Sequence, residues 1–169
     1  MTVSNTLKRQ IIIEILALIV LVGVICYTAF AIDNSNNNKI KSANGFVTVL
    51  DDDNFNSLQI LSDGQALKEK GITYTITNNN KDARTYILLV KPNTDDENIL
   101  NHLKVSVNQL YVAELTSLEK NEKGYYRINT HELKSGYTKV NIINLWYDLD
   151  TNSSLLNNDI KFDFDIEIQ

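Results

Sequence analysis

Cysteine occurs once in the 169 residues, as Cys26 inside an apolar run. No intrachain disulfide can form, so the fold must rest on its core and its sheet hydrogen bonds. The same placement removes cysteine catalysis from the rest of the chain. Histidine occurs twice, as His102 and His131, neither with a Cys or acidic neighbour at ligand spacing. A zinc site or a catalytic triad lacks its partners in the sequence, and both read as surface histidines. No Gly-x-Ser-x-Gly, phosphate-binding loop or dinucleotide fingerprint is present. The sequence therefore predicts neither an enzyme nor a cofactor.

Runs of Lys or Arg are also missing. The formal net charge is −5, and Lys8, Arg9 and Glu14 together contribute +1, leaving −6 for everything after Ile32. An acidic domain without a basic stripe is repelled by phosphate backbones, which excludes nucleic acid as a partner. Proline occurs once. With the abundance of Asn, Lys and Ile, this reads as the coding bias of a low-GC bacterium.

What the chain does have is one long apolar run. Residues 11–32, IIIEILALIVLVGVICYTAFAI, would rise roughly 33 Å as a helix at about 1.5 Å per residue, matching a hydrocarbon core of about 30 Å. Glu14 lies one turn inside its end, where the carboxylate can snorkel to the headgroups. Lys8 and Arg9 precede the run, and Asp33 follows it. That asymmetry predicts a cytoplasmic tail over 1–10, a single pass through membrane lipid over 11–32, and an extracytoplasmic remainder.

Four readings of the run stay open. An uncleaved signal anchor fits its length, and cleavage after Ala31 fits the small-x-small Ala29-Phe30-Ala31. Lipidation of Cys26 is the third, although Ile25 and Gly23 stand where a small residue and Leu are usual. The fourth is a pilin-like N-terminus on Gln10-Ile11-Ile12-Ile13-Glu14, although Arg9 replaces the usual Gly and no long amphipathic helix follows. Residues 33–44, DNSNNNKIKSAN, lack apolar periodicity and predict a flexible linker.

From residue 45 to 169 the apolar residues mostly recur every second position, the mark of strands with one buried face. The clearest case is 159–168, where every even position is Ile or Phe and every odd one is charged. Strands are expected at 46–50, 72–77, 85–90, 103–107, 125–128, 140–149 and 159–168, with 56–60 and 110–115 as weaker candidates. The run at 85–90 predicts a central strand covered on both faces. Short helices fit 63–70 and 95–102. This pattern predicts an all-β domain, an immunoglobulin-like or jelly-roll β-sandwich behind one N-terminal transmembrane helix.

Three acidic groups compete for function. Asp148, Asp150, Asn152 and Asp159 open like a calcium loop, but Ser153 stands where Gly permits the sharp turn, so a polar hairpin loop is the plainer reading. Asp51-Asp52-Asp53 reads as a solvated turn. Asp163, Asp165 and Glu167 share one face and read as the charged outside of an edge strand, which discourages pairing between sheets. Trp146 reads as a core residue, with an exposed platform for sugar or protein as the alternative.

Four stretches resemble a known family: Ser62-Asp63-Gly64-Gln65-Ala66-Leu67, Tyr74-Thr75-Ile76-Thr77-Asn78-Asn79, Tyr86, and Leu145-Trp146 before a polar loop and closing strand. Over roughly 45–169 the chain resembles the β-sandwich surface proteins of Gram-positive bacteria, similar in outline to camelysin and the biofilm-matrix fibre proteins. The resemblance implies a surface module that binds a protein or cell-wall partner, or self-associates through a sheet edge. Expected alternatives to a binding or structural module are a subunit of a surface filament or pilus and an accessory subunit of a membrane complex.

Overall fold

The computed structural model describes residues 39–53, 55 and 57–169. By its contacts the chain divides into two units, Met1–Asn37 and Asn38–Gln169. The expected anchor, with Lys8, Arg9, Glu14, Cys26 and the Ala31 cleavage point, lies outside the described residues, as does the linker up to residue 38. Among the described residues no helix is long and apolar enough to cross a membrane.

The second unit is built of nine strands: β1 Lys39–Ala43, β2 Phe46–Asp51, β3 Ile72–Asn78, β4 Arg84–Pro92, β5 Leu103–Val107, β6 Val112–Glu114, β7 Tyr126–Leu133, β8 Thr138–Tyr147 and β9 Phe162–Ile168. Two single-turn helices, α1 Asp63–Ala66 and α2 Glu97–Leu100, and two 3-10 turns interrupt them. The strands form a six-stranded sheet, β1-β2-β3-β8-β5-β6, and a three-stranded sheet, β7-β4-β9. Every paired strand is antiparallel. The result is the expected all-β, sandwich-like architecture.

Alternation creates the core. Phe46, Leu50, Ile72, Tyr74 and Ile76 of the larger sheet and Tyr86, Leu88, Val90 and Phe164 of the smaller belong to one buried cluster. β4 is buried at five successive positions, Tyr86 to Val90, because it is the middle strand of its sheet. Ile87 and Leu89, on its far side, have Thr130 with Glu167 and Arg127 with Asp165 as their respective cross-strand neighbours. In β9 only Phe164 is fully buried, while Phe162, Ile166 and Ile168 are half-buried, as befits an edge strand.

Residues 39–43 correct the expected linker: they form the outermost strand of the larger sheet. Asn44 and Gly45 adopt φ of 50° and 77°, the left-handed pair that a two-residue hairpin requires, and fold β1 back along β2. Once folded back, Lys41 reaches across to the other sheet, its Nζ 2.9 Å from the Phe164 carbonyl. The weaker strand candidates also resolve. Residue 60 contributes an isolated bridge to Tyr147, and 110–115 shrinks to β6 followed by a 3-10 turn.

A second, smaller layer lies outside the larger sheet. In β8, Ile143, Leu145 and Tyr147 face the core, so Asn144 and Trp146 face the opposite way. Both are nonetheless buried. Asn144 Nδ2 donates to the carbonyls of Ala66 and Glu69, each at 3.1 Å, pinning the α1 segment over this face. Lys104, the cross-strand neighbour of Trp146, adds an ion pair to Asp63 at 3.1 Å.

Candidate functional site

The calcium-like loop is spent on its own turn. Asp148 Oδ1 lies 3.1 Å from His102 Nδ1 and accepts the Thr151 hydroxyl at 2.9 Å. Asn152 Oδ1 accepts the Ser154 amide at 3.0 Å, capping the 3-10 turn Ser153–Asn157. Asp150 is exposed, and Asp159 pairs with Lys161 at 3.3 Å. Among the described residues no group of three His, Cys, Asp or Glu side chains gathers as a metal site. His102 corrects the reading of a lone surface histidine, since it is half-buried against Asp148. No local pattern could reveal that pair, because its members stand 46 residues apart. His131 is exposed, its ring edge-on to Tyr86 at 6.1 Å.

Trp146 is fully buried, which excludes the exposed platform. It lies outside the inter-sheet core, under the α1 side, rather than in the main core.

The acidic face of β9 is a network. Asp163 accepts a very short hydrogen bond from the Tyr125 phenol and lies 3.4 Å from Lys41 Nζ. Burial alone would raise the Asp163 carboxyl, but the phenol and the ammonium outweigh it and hold it below its ordinary 3.8. The same hydrogen bond, aided by burial, pushes the Tyr125 phenol up to about 12. Arg127 bridges Glu119 at 2.9 Å and Glu167 at 3.3 Å. Asp165 turns its carboxylate onto the Ile166 amide at 2.9 Å.

Two of these contacts occupy main-chain groups on the open edge of β9. Its even-numbered residues direct their amides and carbonyls away from β4, and Lys41 occupies the Phe164 carbonyl while Asp165 occupies the Ile166 amide. Asp165 of this strand and Lys41 of β1 thus each occupy one main-chain group of the β9 edge.

A concavity of about 370 Å³ opens where the segment after β2 meets the segment before β9. Its floor is Leu58, Ile72 and Phe164, all buried core residues. Phe55 and Phe162, edge-to-face at 5.9 Å, and Leu156 form its walls. Asp52, Asp159 and Lys161 stand in the same lining. Asp51 ends β2 and its carboxylate accepts the Asp53 amide at 3.2 Å, so the acidic triplet is a turn, as expected, with its middle member at the cavity. Nothing in the sequence marked this cavity, because its floor residues are spread over three separate segments.

No family model, curated protein or solved structure matches the chain. The likeness to camelysin and the biofilm fibre proteins gains no support from these comparisons.

Proposed function

We propose that this chain is a membrane-anchored, non-enzymatic cell-surface module, binding or structural, whose β domain stands outside the cell. The observation that supports it is the division at Asn37 and Asn38: a unit with its own core begins just past the Asn-rich stretch that follows the apolar run. Strand order favours the jelly-roll form over the immunoglobulin-like one. β3 and β4 lie in different sheets, as do β7 and β8, yet β3 pairs with β8 and β4 with β7, so two consecutive strand pairs wind together across both layers.

Topology is tested by adding protease to intact protoplasts of the producing cell. The β domain is digested while a cytosolic marker survives, and protection of both refutes the proposal. Intact mass of the mature chain then distinguishes a retained helix from cleavage after Ala31.

A second reading, self-association of two copies through a sheet edge, is favoured by the contrast between edges. β9 is partly capped at Phe164 and Ile166, and β7 is covered where the Arg127 amide donates to the Glu119 carbonyl at 2.9 Å. β1 instead presents Ile40, 63% exposed, on a strand paired on one side. Pairing β1 with its two-fold copy would join the larger sheets. Ile40→Pro removes an amide from that edge, and an unchanged sedimentation profile of a dimeric wild type would discard the idea.

A further inference from the structure

We infer that a water molecule is built into the layer between the α1 segment and the larger sheet, held by the Trp146 indole, the Ser106 hydroxyl and the Asn144 side-chain oxygen. These residues are 0%, 1% and 3% exposed. Among the described residues, Trp146 Nε1, Ser106 Oγ and Asn144 Oδ1 have no hydrogen-bond partner. Buried polar groups are nearly always paired, with protein or with ordered water, so three orphans on one face call for an occupant. The strand register gathers them. Ser106 of β5 stands directly opposite Asn144 of β8, and Trp146 follows Asn144 on the same side of β8. Val105 and Val107 point into the core, so Ser106 points with the other two toward α1. Opposed Cβ atoms lie about 5 Å apart and same-face neighbours along a strand about 7 Å, so converging side chains come within the roughly 5–6 Å that one water bridges.

The chemistry of the three groups selects the occupant. Asn144 Nδ2 donates to the Ala66 and Glu69 carbonyls, each at 3.1 Å, which fixes the amide orientation and leaves Oδ1 as an acceptor. Trp146 offers only a donor, and Ser106 serves as either. An anion would meet the Asn144 oxygen and a cation the indole N–H. Water donates and accepts equally, and in buried sites it typically makes about three hydrogen bonds. Lys104, opposite Trp146, has its ammonium on the Asp63 carboxylate at 3.1 and 3.4 Å, so the charge beside the site is already matched. Asn144 also lines a surface cleft of about 380 Å³ with Ala66, Glu69 and Gly71, which puts the site one side chain from bulk water. The water completes the polar contact through which α1 rests on the sheet. The inference is independent of the topology proposed above, since the layer is the same on either side of a membrane.

The test uses the full ¹⁵N-labelled chain in zwitterionic nanodiscs. The sequence holds one tryptophan, so the spectrum has one indole N–H signal. Cross-relaxation between that proton and water has opposite signs in laboratory-frame and rotating-frame experiments, the mark of a water held far longer than surface hydration. Ser106→Ala keeps the signal, which excludes relay through the serine hydroxyl. Ser106→Val fills the space with methyl groups and abolishes the signal, while amide signals away from the α1 layer stay in place. Absence of cross-relaxation at the indole of the unaltered chain overturns the site. Equal signs in the two experiments, or loss of the signal in Ser106→Ala, overturn water as its source, and persistence in Ser106→Val overturns the location.

Discussion

Replacing Tyr74 by Phe should leave the domain equally stable or slightly firmer at neutral pH and clearly firmer at pH 11. Tyr74 is 2% exposed, and among the described residues its hydroxyl makes no well-formed hydrogen bond, the Thr48 hydroxyl being its nearest polar neighbour. Burial pushes its phenol from 10.0 to about 12; the nearby Thr48 hydroxyl offsets this only in part, and the Asp165 and Asp163 carboxylates reinforce it. The folded state therefore favours the neutral phenol. That contribution is fully present below pH 10 and is lost as pH rises toward 12, because the unfolded chain ionises first. At pH 11 the unfolded phenol is mostly charged and the folded one mostly neutral, a penalty of about 1.4 kcal/mol that Phe escapes. At pH 7 the change deletes a buried hydroxyl whose contact with Thr48 is poorly formed, worth about 0–1 kcal/mol in favour of Phe. Urea titrations of the full chain in neutral detergent read both, with the single, fully buried Trp146 as the fluorescent reporter. The raised phenols of Tyr86 and Tyr147 act alike in both proteins and cancel in the difference. The same stability difference at both pH values would refute the reasoning, since Tyr74 would then titrate alike in the folded and unfolded chain.

The other expectations concern the edges and the outer layer. Asp163→Asn lowers stability by a few tenths of a kcal/mol at pH 7, because the carboxylate is 58% exposed and well screened. With its pKa depressed, that contribution is present above 3.8 and fades as pH falls below it, so the two proteins' thermal midpoints converge in acid. The same variant brings the Tyr125 phenol down from about 12, readable by absorbance at alkaline pH. Gly45→Ala costs about 1–2 kcal/mol or more, since φ is +77° and a Cβ there would lie 2.3 Å from Asn80 Oδ1. Gly64→Ala, in α1 with open space around it, gains up to about 1 kcal/mol in the same urea assay. Asn144→Leu frees the Ala66 and Glu69 carbonyls, costs about 1–3 kcal/mol, and shifts Trp146 emission to the red as the α1 segment loosens.

Most strands were legible because a half-buried strand writes its face into every second residue. β5 was read to its ends, and the unbroken apolar run of β4 announced a strand covered on both sides. The boundaries that moved were decided by contacts that no periodicity carries. β8 stops at Tyr147 because Asp148, whose amide donates to the His102 carbonyl as the last rung at 3.0 Å, opens a turn in which its carbonyl accepts the Thr151 amide at 3.3 Å, leaving Leu149 exposed. β9 starts at Phe162 because Asn93 clamps Lys161, its amide donating to the Lys161 carbonyl and its side chain accepting the Lys161 amide, both at 2.9 Å. β1 was missed for a different reason. Lys39-Ile40-Lys41-Ser42-Ala43 has too little apolar content to read as a strand, and the signal lay in the Asn44-Gly45 turn just beyond it.

The polar residues were the harder text, because their meaning depends on what arrives from far along the chain. Asn78 closes a strand with an ordinary turn signal, yet its side chain donates to the Asp82 and Leu133 carbonyls and accepts from the Asn80 amide, all within a fully buried position. It joins the end of β3 to the end of β7, and so ties one sheet to the other where an apolar residue would leave three main-chain groups without partners. Lys41 does the same at a different side of the sandwich. In both cases composition says loop or surface while the buried main chain demands a donor. A chain without disulfides holds its two layers in register partly through such side chains, and replacing either by an isosteric apolar group should loosen β7 or β9 in hydrogen exchange before it lowers global stability. Exchange that slowed only with global unfolding in both variants would show that apolar packing alone sets the register.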